Sequence, residues 1–520
     1  MSLLAIDIGT TRTKVGLYDD DIRPLAVQSA PTPGIAGKGS FDAGAILNVL
    51  ETLIQDVVTT GGTGAAEGPR GRPPGEVVTA VGITSFLSHV MFDAAGEVVG
   101  SPLSWSFRPS EDALEACRQA CVEGGYTPER PITGELLAPR LVHLARTDPD
   151  RARRIARVMC LKDVVRRMLS AGGDGEGRWY TDFSLRDYSL IRDGRDNVIE
   201  PVAALLAREG YRNPESLLPP ALPAHAPAGR LAEGYARRFG LEPGVPLAVG
   251  ATDGTTAMYG GGLLGRDDCV VAVFGTTDVV MRAIPRTRPI FGDYTRLGLS
   301  RNAAMHPDCD VIGGSTASSG GVAAWMNGVV QGGDGWSSIP AGAEGVRVAP
   351  GFAGERAPWN RQGRNGVIAG LTPGHTGGHI QRALLEAQTF RVRLLLEGLL
   401  DITSGDGEVL ILGGGGNRTA ELDRLRREIL PWEIAWRDDG ELSLAGAAMF
   451  ARAATERDET TRNSALLELN RRVASRTAAV ESAAADDAAV PEGAGTAPAA
   501  PSAYPELYAQ WVEWITQMYG

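Results

Sequence analysis

Leu3-Leu-Ala-Ile-Asp-Ile-Gly-Thr-Thr-Arg-Thr-Lys-Val-Gly-Leu-Tyr18 is an apolar strand, a Gly/Thr turn and a second strand. Cys269-Val-Val-Ala-Val-Phe-Gly-Thr-Thr-Asp-Val-Val-Met-Arg282 repeats that grammar. The turn glycines, Gly9 and Gly275, lie 266 residues apart in a chain of 520. That spacing is too long for a solenoid and suits two similar domains, one per half. Such turns can be ordinary hairpins. They can also present backbone N–H groups and threonine hydroxyls to anions, and two of them would grip a polyphosphate. Asp7, just before the first turn, can hold Mg²⁺ against β/γ oxygens through water. The chain has no G-x-x-x-x-G-K-[ST] run, so it carries no P-loop.

Between the hairpins, strand and helix patterns alternate, which implies an α/β layer architecture. Leu47 to Val58, Glu111–Cys121, Pro149–Leu169 and Val202–Glu209 have helical spacing, and Val77–Ile83 is strand-like. The Gly/Pro-rich run Thr59–Glu76 reads as an insertion loop. Near Leu247 the pattern starts over, with Gly250-Ala-Thr-Asp-Gly-Thr-Thr256 following a short strand. Asp253 in that turn can serve as a general base on an alcohol, as a metal ligand, or as an Asx cap of a helix start. Further on come a helix at Gly377–Asp401, a strand at Glu408–Leu412, the tetraglycine Gly413–Gly416 with Asn417, and a helix at Thr419–Leu430. Glycines there suit close approach of a flat ligand such as adenine. Ala474–Ser502 reads as a disordered linker, and Tyr504–Tyr519, with Trp511 and Trp514, as a terminal helix that docks back.

With 51 Lys+Arg against 63 Asp+Glu, the net charge of −12 argues against a nucleic-acid or anionic-membrane partner. No apolar run reaches membrane-spanning length, and Met1 to Asp7 lacks the basic start of a signal peptide, so a cytoplasmic location is expected. The five cysteines include Cys117 and Cys121 at helical spacing, and His375 and His379 are also i, i+4. Neither pair has a partner in sequence that completes a metal site.

Together these motifs resemble the FGGY family of carbohydrate kinases, of the actin/hexokinase/Hsp70 ATPase superfamily, over roughly residues 1–455. Asp7–Lys14 resembles the family's first phosphate loop, and Phe274-Gly-Thr-Thr277 the second, although Asp278 stands where a small residue is common. Asp253 falls where these kinases keep a catalytic base. Gly354-Glu-Arg-Ala-Pro-Trp-Asn360, with Gly366–Leu371 and His379–Glu386, matches the C-terminal signature. Leu444-Ala-Gly-Ala-Ala448 is similar to the helix that closes the second domain.

The resemblance implies two ribonuclease-H-like α/β domains, 1–245 and 246–456, flanking a catalytic cleft, with 457–520 as an extension. It implies ATP and Mg²⁺ as cofactors and phosphoryl transfer to a sugar, polyol or sugar acid. Gly9, Thr10, Thr11, Lys14, Gly275, Thr276 and Thr277 are expected to bind phosphates, and Gly413, Gly414, Gly415, Gly416 and Asn417 adenosine. Asp7 and Asp253 are the metal candidates. Thr84, Ser85, Trp105, Arg108, Asp182 and Asp253 are the substrate-facing candidates; a homodimer stays open.

The acceptor side departs from the family. Ser104-Trp-Ser-Phe-Arg108 lacks the acid of Trp-x-Asp-x-Arg, and Arg140 and His143 replace a Lys…Trp pair. Ile83-Thr-Ser-Phe-Leu-Ser-His89 is closer to gluconokinase-like members than to xylulokinases. Tyr180-Thr-Asp-Phe-Ser184 resembles the family's Thr-Asp-Tyr-Ser element, followed here by Arg186 and Tyr188. Arg108, Arg140 and Arg186 lead to the expectation that gluconate is preferred to xylulose. A specialised acceptor (nucleoside, antibiotic sugar or signalling molecule) and a catalytically idle ATP- and sugar-binding regulator are the two alternatives.

Overall fold

The computed structural model describes residues 2–34, 39–60, 77–170, 179–265, 269–303, 306–317, 319–360, 365–403, 410–414, 419–437, 441–487 and 503–519. Each hairpin seeds a six-stranded sheet. In the first, Ser2–Ile8 pairs antiparallel with Arg12–Tyr18, which pairs with Pro24–Pro31. On its other side Ser2–Ile8 runs parallel to Val78–Ser85, followed by Pro246–Ala248 and Pro227–Arg230. The second sheet is built in the same way. Cys269–Phe274 pairs antiparallel with Asp278–Pro285 and parallel with Leu410–Gly414, which runs parallel to Glu433–Trp436. Cys309–Ser315 and Ser300–Ala303 complete its far edge. The repeated grammar in the sequence is thus a repeated topology. The central strands are buried on both faces, as their continuous apolar runs require.

Two compact units result. The first is Met1–Gly265 with Asn302–Asp310 and Glu441–Val473; the second is Arg266–Arg301, Val311–Gly440 and Ala474–Gly520. They do not follow the division at 245 and 456. The turn carrying Asp253 stays with the first unit because Gly250, at φ +74°, sits so close to Ile83 O that an added Cβ would approach it to 1.8 Å. The helix Leu442–Ala454 joins the first unit as well. A Cβ on Gly82 would meet Ala447 O at 1.9 Å, and one on Gly446 would meet Thr256 O at 2.0 Å. The small residues of Leu444-Ala-Gly-Ala-Ala448 therefore pack against the sheet and the helix Asp253–Gly260 of the first unit.

Two local expectations fail for identifiable reasons. The helical period over 149–169 is interrupted. Pro149–Arg154 and Leu161–Ser170 are helices, but Arg157–Met159 is a strand that pairs with Ser88–Phe92, and its Val158 N donates to Leu217 O at 2.7 Å. Pairing partners far away in sequence override a local pattern. The first part of the expected linker, Ala474 to Asp487, continues the helix Glu459–Asp487. It is rich in alanine and has no Gly or Pro before Pro491. Residues 488–502, like most of the 59–76 loop, lie outside the described residues.

In the second unit the terminal helix Tyr504–Tyr519 buries Tyr504, Tyr508, Trp511, Ile515 and Tyr519. Trp511 Nε1 donates to Val348 O at 3.0 Å, and Tyr508 OH donates to Glu397 at 2.5 Å. Pairing the polar tips of buried aromatics removes the main cost of burying them. Among the described residues no helix is long and apolar enough to cross a membrane.

Candidate active site

Asp7 is the next-to-last residue of its strand and lies opposite Lys14 in the hairpin register. Its carboxyl is buried, and Oδ1 has no hydrogen-bond partner among the described residues. Burial pushes its pKa up to about 7. The nearby Asp253 and Glu441 add to the rise, and Lys14 opposes it. Lys14, expected to meet phosphate, is 2.5 Å from Glu441, the residue just before the helix Leu442–Ala454. Sequence reading missed Glu441. The only signal was an acid at a helix start, 427 residues from its partner.

Asp253 opens the helix Asp253–Gly260, and burial lifts its pKa to about 6 against a hydrogen bond from Gly254 N at 2.7 Å. A buried carboxyl with an orphaned oxygen, its proton affinity raised by a half-buried carboxyl nearby, is a poor arrangement for the chain alone and one that a divalent cation would relieve. Among the described residues no set of three or more His, Cys, Asp or Glu could hold a metal. Mg²⁺ takes one or two carboxylates and fills its shell with water and substrate phosphate, so Asp7 and Asp253 are the residues that could hold it.

The first Gly-Thr-Thr turn is closed by Gly9 N donating to Arg12 O at 3.1 Å. Thr32, also missed in sequence, braces it: its N–H donates to Thr11 O at 3.0 Å and its hydroxyl to Gly9 O at 2.7 Å. Thr10 is half-buried and Thr11 exposed. In the second turn Gly275 N reaches Thr277 O at 3.2 Å, and Thr276 O accepts Ser319 N at 2.7 Å from the start of the helix Gly320–Val329. Thr276 is exposed and Thr277 half-buried. Asp278 is buried and its pKa rises with burial, while Arg426, the Ser319 hydroxyl and Arg391 hold it down.

Of the adenosine candidates, Gly413 is explained from within the fold. A Cβ there would strike the Trp436 ring at 2.6 Å, so this glycine makes room for a tryptophan. Gly414 ends the strand. Gly415, Gly416 and Asn417 lie outside the described residues.

The acceptor candidates divide. Trp105 is half-buried, and Arg108 lies exposed with Nη1 on Trp105 O at 3.2 Å. Thr84, Ser85 and Asp182 are fully buried and partnered internally. Thr84 Oγ1 donates to Ala251 O at 2.8 Å, Ser85 Oγ accepts Lys162 N at 3.1 Å, and Asp182 Oδ2 accepts Ser184 N at 2.6 Å. Arg140 and Arg186 are committed too. Arg140 donates to the carbonyls of Gly134, Ser104 and Trp105 at 2.8–2.9 Å. Arg186 pairs with Asp187 at 3.0 Å. Arg140 also faces His89 Nδ1 at 3.1 Å. A guanidinium only donates, so the proton of His89 belongs on Nε2, which is buried and unpartnered among the described residues. Burial and Arg140 lower the His89 pKa well below its usual value, so the ring is neutral. His89 thereby offers one N–H donor that the sequence showed only as part of a departure from the family.

Residues 2–260 match the N-terminal domain, and residues 270–455 the C-terminal domain, of the FGGY family of carbohydrate kinases. The chain is 25% identical over 400 residues to an L-fuculokinase of Salmonella typhi, covering 72% of this chain and 77% of that protein. It is 25% identical over 477 residues to a glycerol kinase of Trichlorobacter lovleyi, covering 86% and 89%. A ligand-bound xylulose kinase from Lactobacillus acidophilus superposes with a TM-score of 0.76 at 17% identity, covering 99% of this chain and 98% of that one.

Proposed function

The chain belongs to the FGGY family of carbohydrate kinases and is an ATP-dependent phosphotransferase, and on that premise we propose that Asp253 is the base that activates the acceptor hydroxyl of a sugar, polyol or sugar acid. The observation that carries this is the half-buried Asp253 at a helix start beside Asp7, its pKa raised to about 6. A carboxylate poised near neutral pH can take a proton and return it to water. As the hydroxyl oxygen bonds to the γ-phosphorus, its proton passes to Asp253 and the bond to ADP breaks. The products are a phosphate monoester, ADP and, after release from Asp253, one proton.

Gly9, Thr10 and Thr11 are assigned to phosphate binding through N–H and hydroxyl donors, and so are Gly275, Thr276 and Thr277. Lys14 keeps Asp7 and Glu441 company and supplies the local positive charge. Asp7, with Asp253, would hold Mg²⁺. When bound, the ion neutralises charge on the β- and γ-phosphates. Gly414 together with Gly415–Asn417 is assigned to adenosine. Trp105, Arg108 and the Nε2–H of His89 are assigned to the acceptor.

A sugar acid such as gluconate remains the favoured acceptor over xylulose. With Arg140 and Arg186 committed to internal partners, Arg108 alone carries that preference. ADP release over a panel of sugars, polyols and sugar acids tests it, and a clear preference for a neutral ketose would overturn it.

The base assignment is tested by Asp253→Asn. Turnover should fall by about 10²–10⁴ while ATP affinity stays within a few-fold. Turnover within tenfold of the unmodified enzyme would reduce Asp253 to a turn-forming residue.

A further inference from the structure

Lys162, one of three lysines in the chain, is fully buried. Its Nζ lies 2.7 Å from Asp163 Oδ1, 2.9 Å from Asp182 Oδ1 and 3.4 Å from Val249 O. Burial works against its charge, but the two carboxylates outweigh burial and raise its pKa. Well-packed apolar residues usually stabilise a core as well as a buried ion cluster does, so stability is a weak explanation for keeping one.

What the cluster touches is the turn that leads into Asp253. Lys162 Nζ reaches Val249 O. Asp182 Oδ2 accepts Ser184 N at 2.6 Å, and Ser184 Oγ in turn accepts Thr252 N at 3.0 Å. Thr84 Oγ1 donates to Ala251 O at 2.8 Å, and Ser85 Oγ accepts the backbone N–H of Lys162 itself. Gly250, between these anchors, donates to Ala224 O at 2.8 Å and has no room for a side chain against Ile83 O. Thr252 O then accepts Thr256 N at 2.8 Å and starts the helix. Each of the four residues before Asp253 is therefore tied down by a buried group.

We propose that Lys162, Asp182 and Ser184 are positioning residues that fix Asp253, and that Asp182 acts through this chain of bonds instead of touching the acceptor. The proposal rests on Asp253 being the base. A catalytic group displaced by about 1 Å can lose about 10²-fold in rate without a change in what is bound.

The test is kinetics of Ser184→Ala, Asp182→Asn and Lys162→Met, each alone and combined with Asp253→Asn, with ATP affinity measured by calorimetry. Ser184→Ala should lower kcat about 5–20-fold and Asp182→Asn about 30–100-fold. Acceptor KM and ATP affinity should stay within about twofold. Combined with Asp253→Asn, each should cost less than about twofold more, because the group being positioned is already gone.

Losses that multiply in the double variants overturn the positioning role. A loss expressed in acceptor KM overturns it too and makes Asp182 a substrate contact. Full activity of Asp253→Asn alone removes the base assignment, and this proposal falls with it. Ser184→Ala deletes one hydroxyl and keeps its volume, so it carries the test if the charge variants do not fold.

Discussion

The two Gly-Thr-Thr hairpins share a sequence and a topology, yet their acids live in opposite electrical surroundings. In the first, Asp7 precedes the turn and faces Asp253 and Glu441, with Lys14 as the opposing charge. One oxygen of Asp7 and one of Asp278 are left without a hydrogen-bond partner among the described residues, so the contrast lies in the charges around them. In the second, Asp278 follows the turn and faces Arg426 and Arg391, with Ser319 bonding to it. Arg426 is itself stacked over the Phe274 ring at 4.1 Å. Both carboxyls are buried, so desolvation raises the pKa of each. Their neighbours then push in opposite directions. The first hairpin carries an acid whose charged neighbours are mostly acids, which an added cation would relieve, and in the second the charged neighbours are the chain's own arginines.

The largest effect should come from Asp7→Asn. It should cut kcat roughly 10²–10³-fold and raise the Mg²⁺ concentration needed for half-maximal rate, as removal of a charge-stabilising group does. Asp278→Asn should stay within about tenfold of the unmodified enzyme with unchanged Mg²⁺ dependence. Steady-state rates over a Mg²⁺ titration check both, and equal behaviour of the two variants would erase the contrast.

Next comes pH dependence without divalent metal. The Asp7 carboxyl is raised from 3.8 to about 7 and that of Asp253 to about 6, so the unfolded chain gives up these protons first as pH rises. Stability is then lost as pH climbs from about 4 to about 7 and levels off above. Asp7→Asn removes its share of that loss. Its unfolding free energy should match the parent near pH 4 and exceed it increasingly up to pH 7, by roughly 4 kcal/mol at most. A gap that does not vary with pH would show that Asp7 is not held protonated by the fold.

Asp278→Ala should leave Arg426 short of a buried carboxylate. Arg391 keeps Glu355 at 3.0 Å, and Arg426 keeps Asp423 at 3.3 Å. The cost should therefore be about 2–3 kcal/mol, below the full penalty for a broken buried pair. Denaturant unfolding measures it, and a change under about 0.5 kcal/mol would show that Asp278 braces nothing.

The smallest effect belongs to Thr32→Val, which removes the hydroxyl on Gly9 O. It should cost about 1 kcal/mol and weaken ATP binding a few-fold, read by calorimetry. Unchanged affinity would mean the first turn needs no brace.

How much of this was legible in the chain follows from the range of each interaction. Strand–turn–strand alternation is local, so both hairpins, their duplication and the α/β class could be read from Leu3–Tyr18 and Cys269–Arg282. The pairing of the candidates Asp7 and Asp253 was legible through the family resemblance alone. The surroundings of those residues were not legible. Lys14 meets Glu441 across 427 residues, and Thr84, Ser85 and Asp182 look like polar groups for a substrate until the fold supplies Ala251, Lys162 and Ser184 as partners. A polar side chain in sequence carries no mark of whether its partner will be protein or ligand.

The amino-acid sequence by itself determined the two sheets, because periodic burial and turn chemistry act over a few residues. Tertiary structure alone decided that the helix Leu442–Ala454 belongs with the first unit, that Arg140 and Arg186 are committed to internal partners, and that one acid faces carboxylates while the other faces arginines. Those outcomes depend on groups within a few ångströms in space, and a charge's energy is set by that distance and by exclusion of water, whatever the separation along the chain.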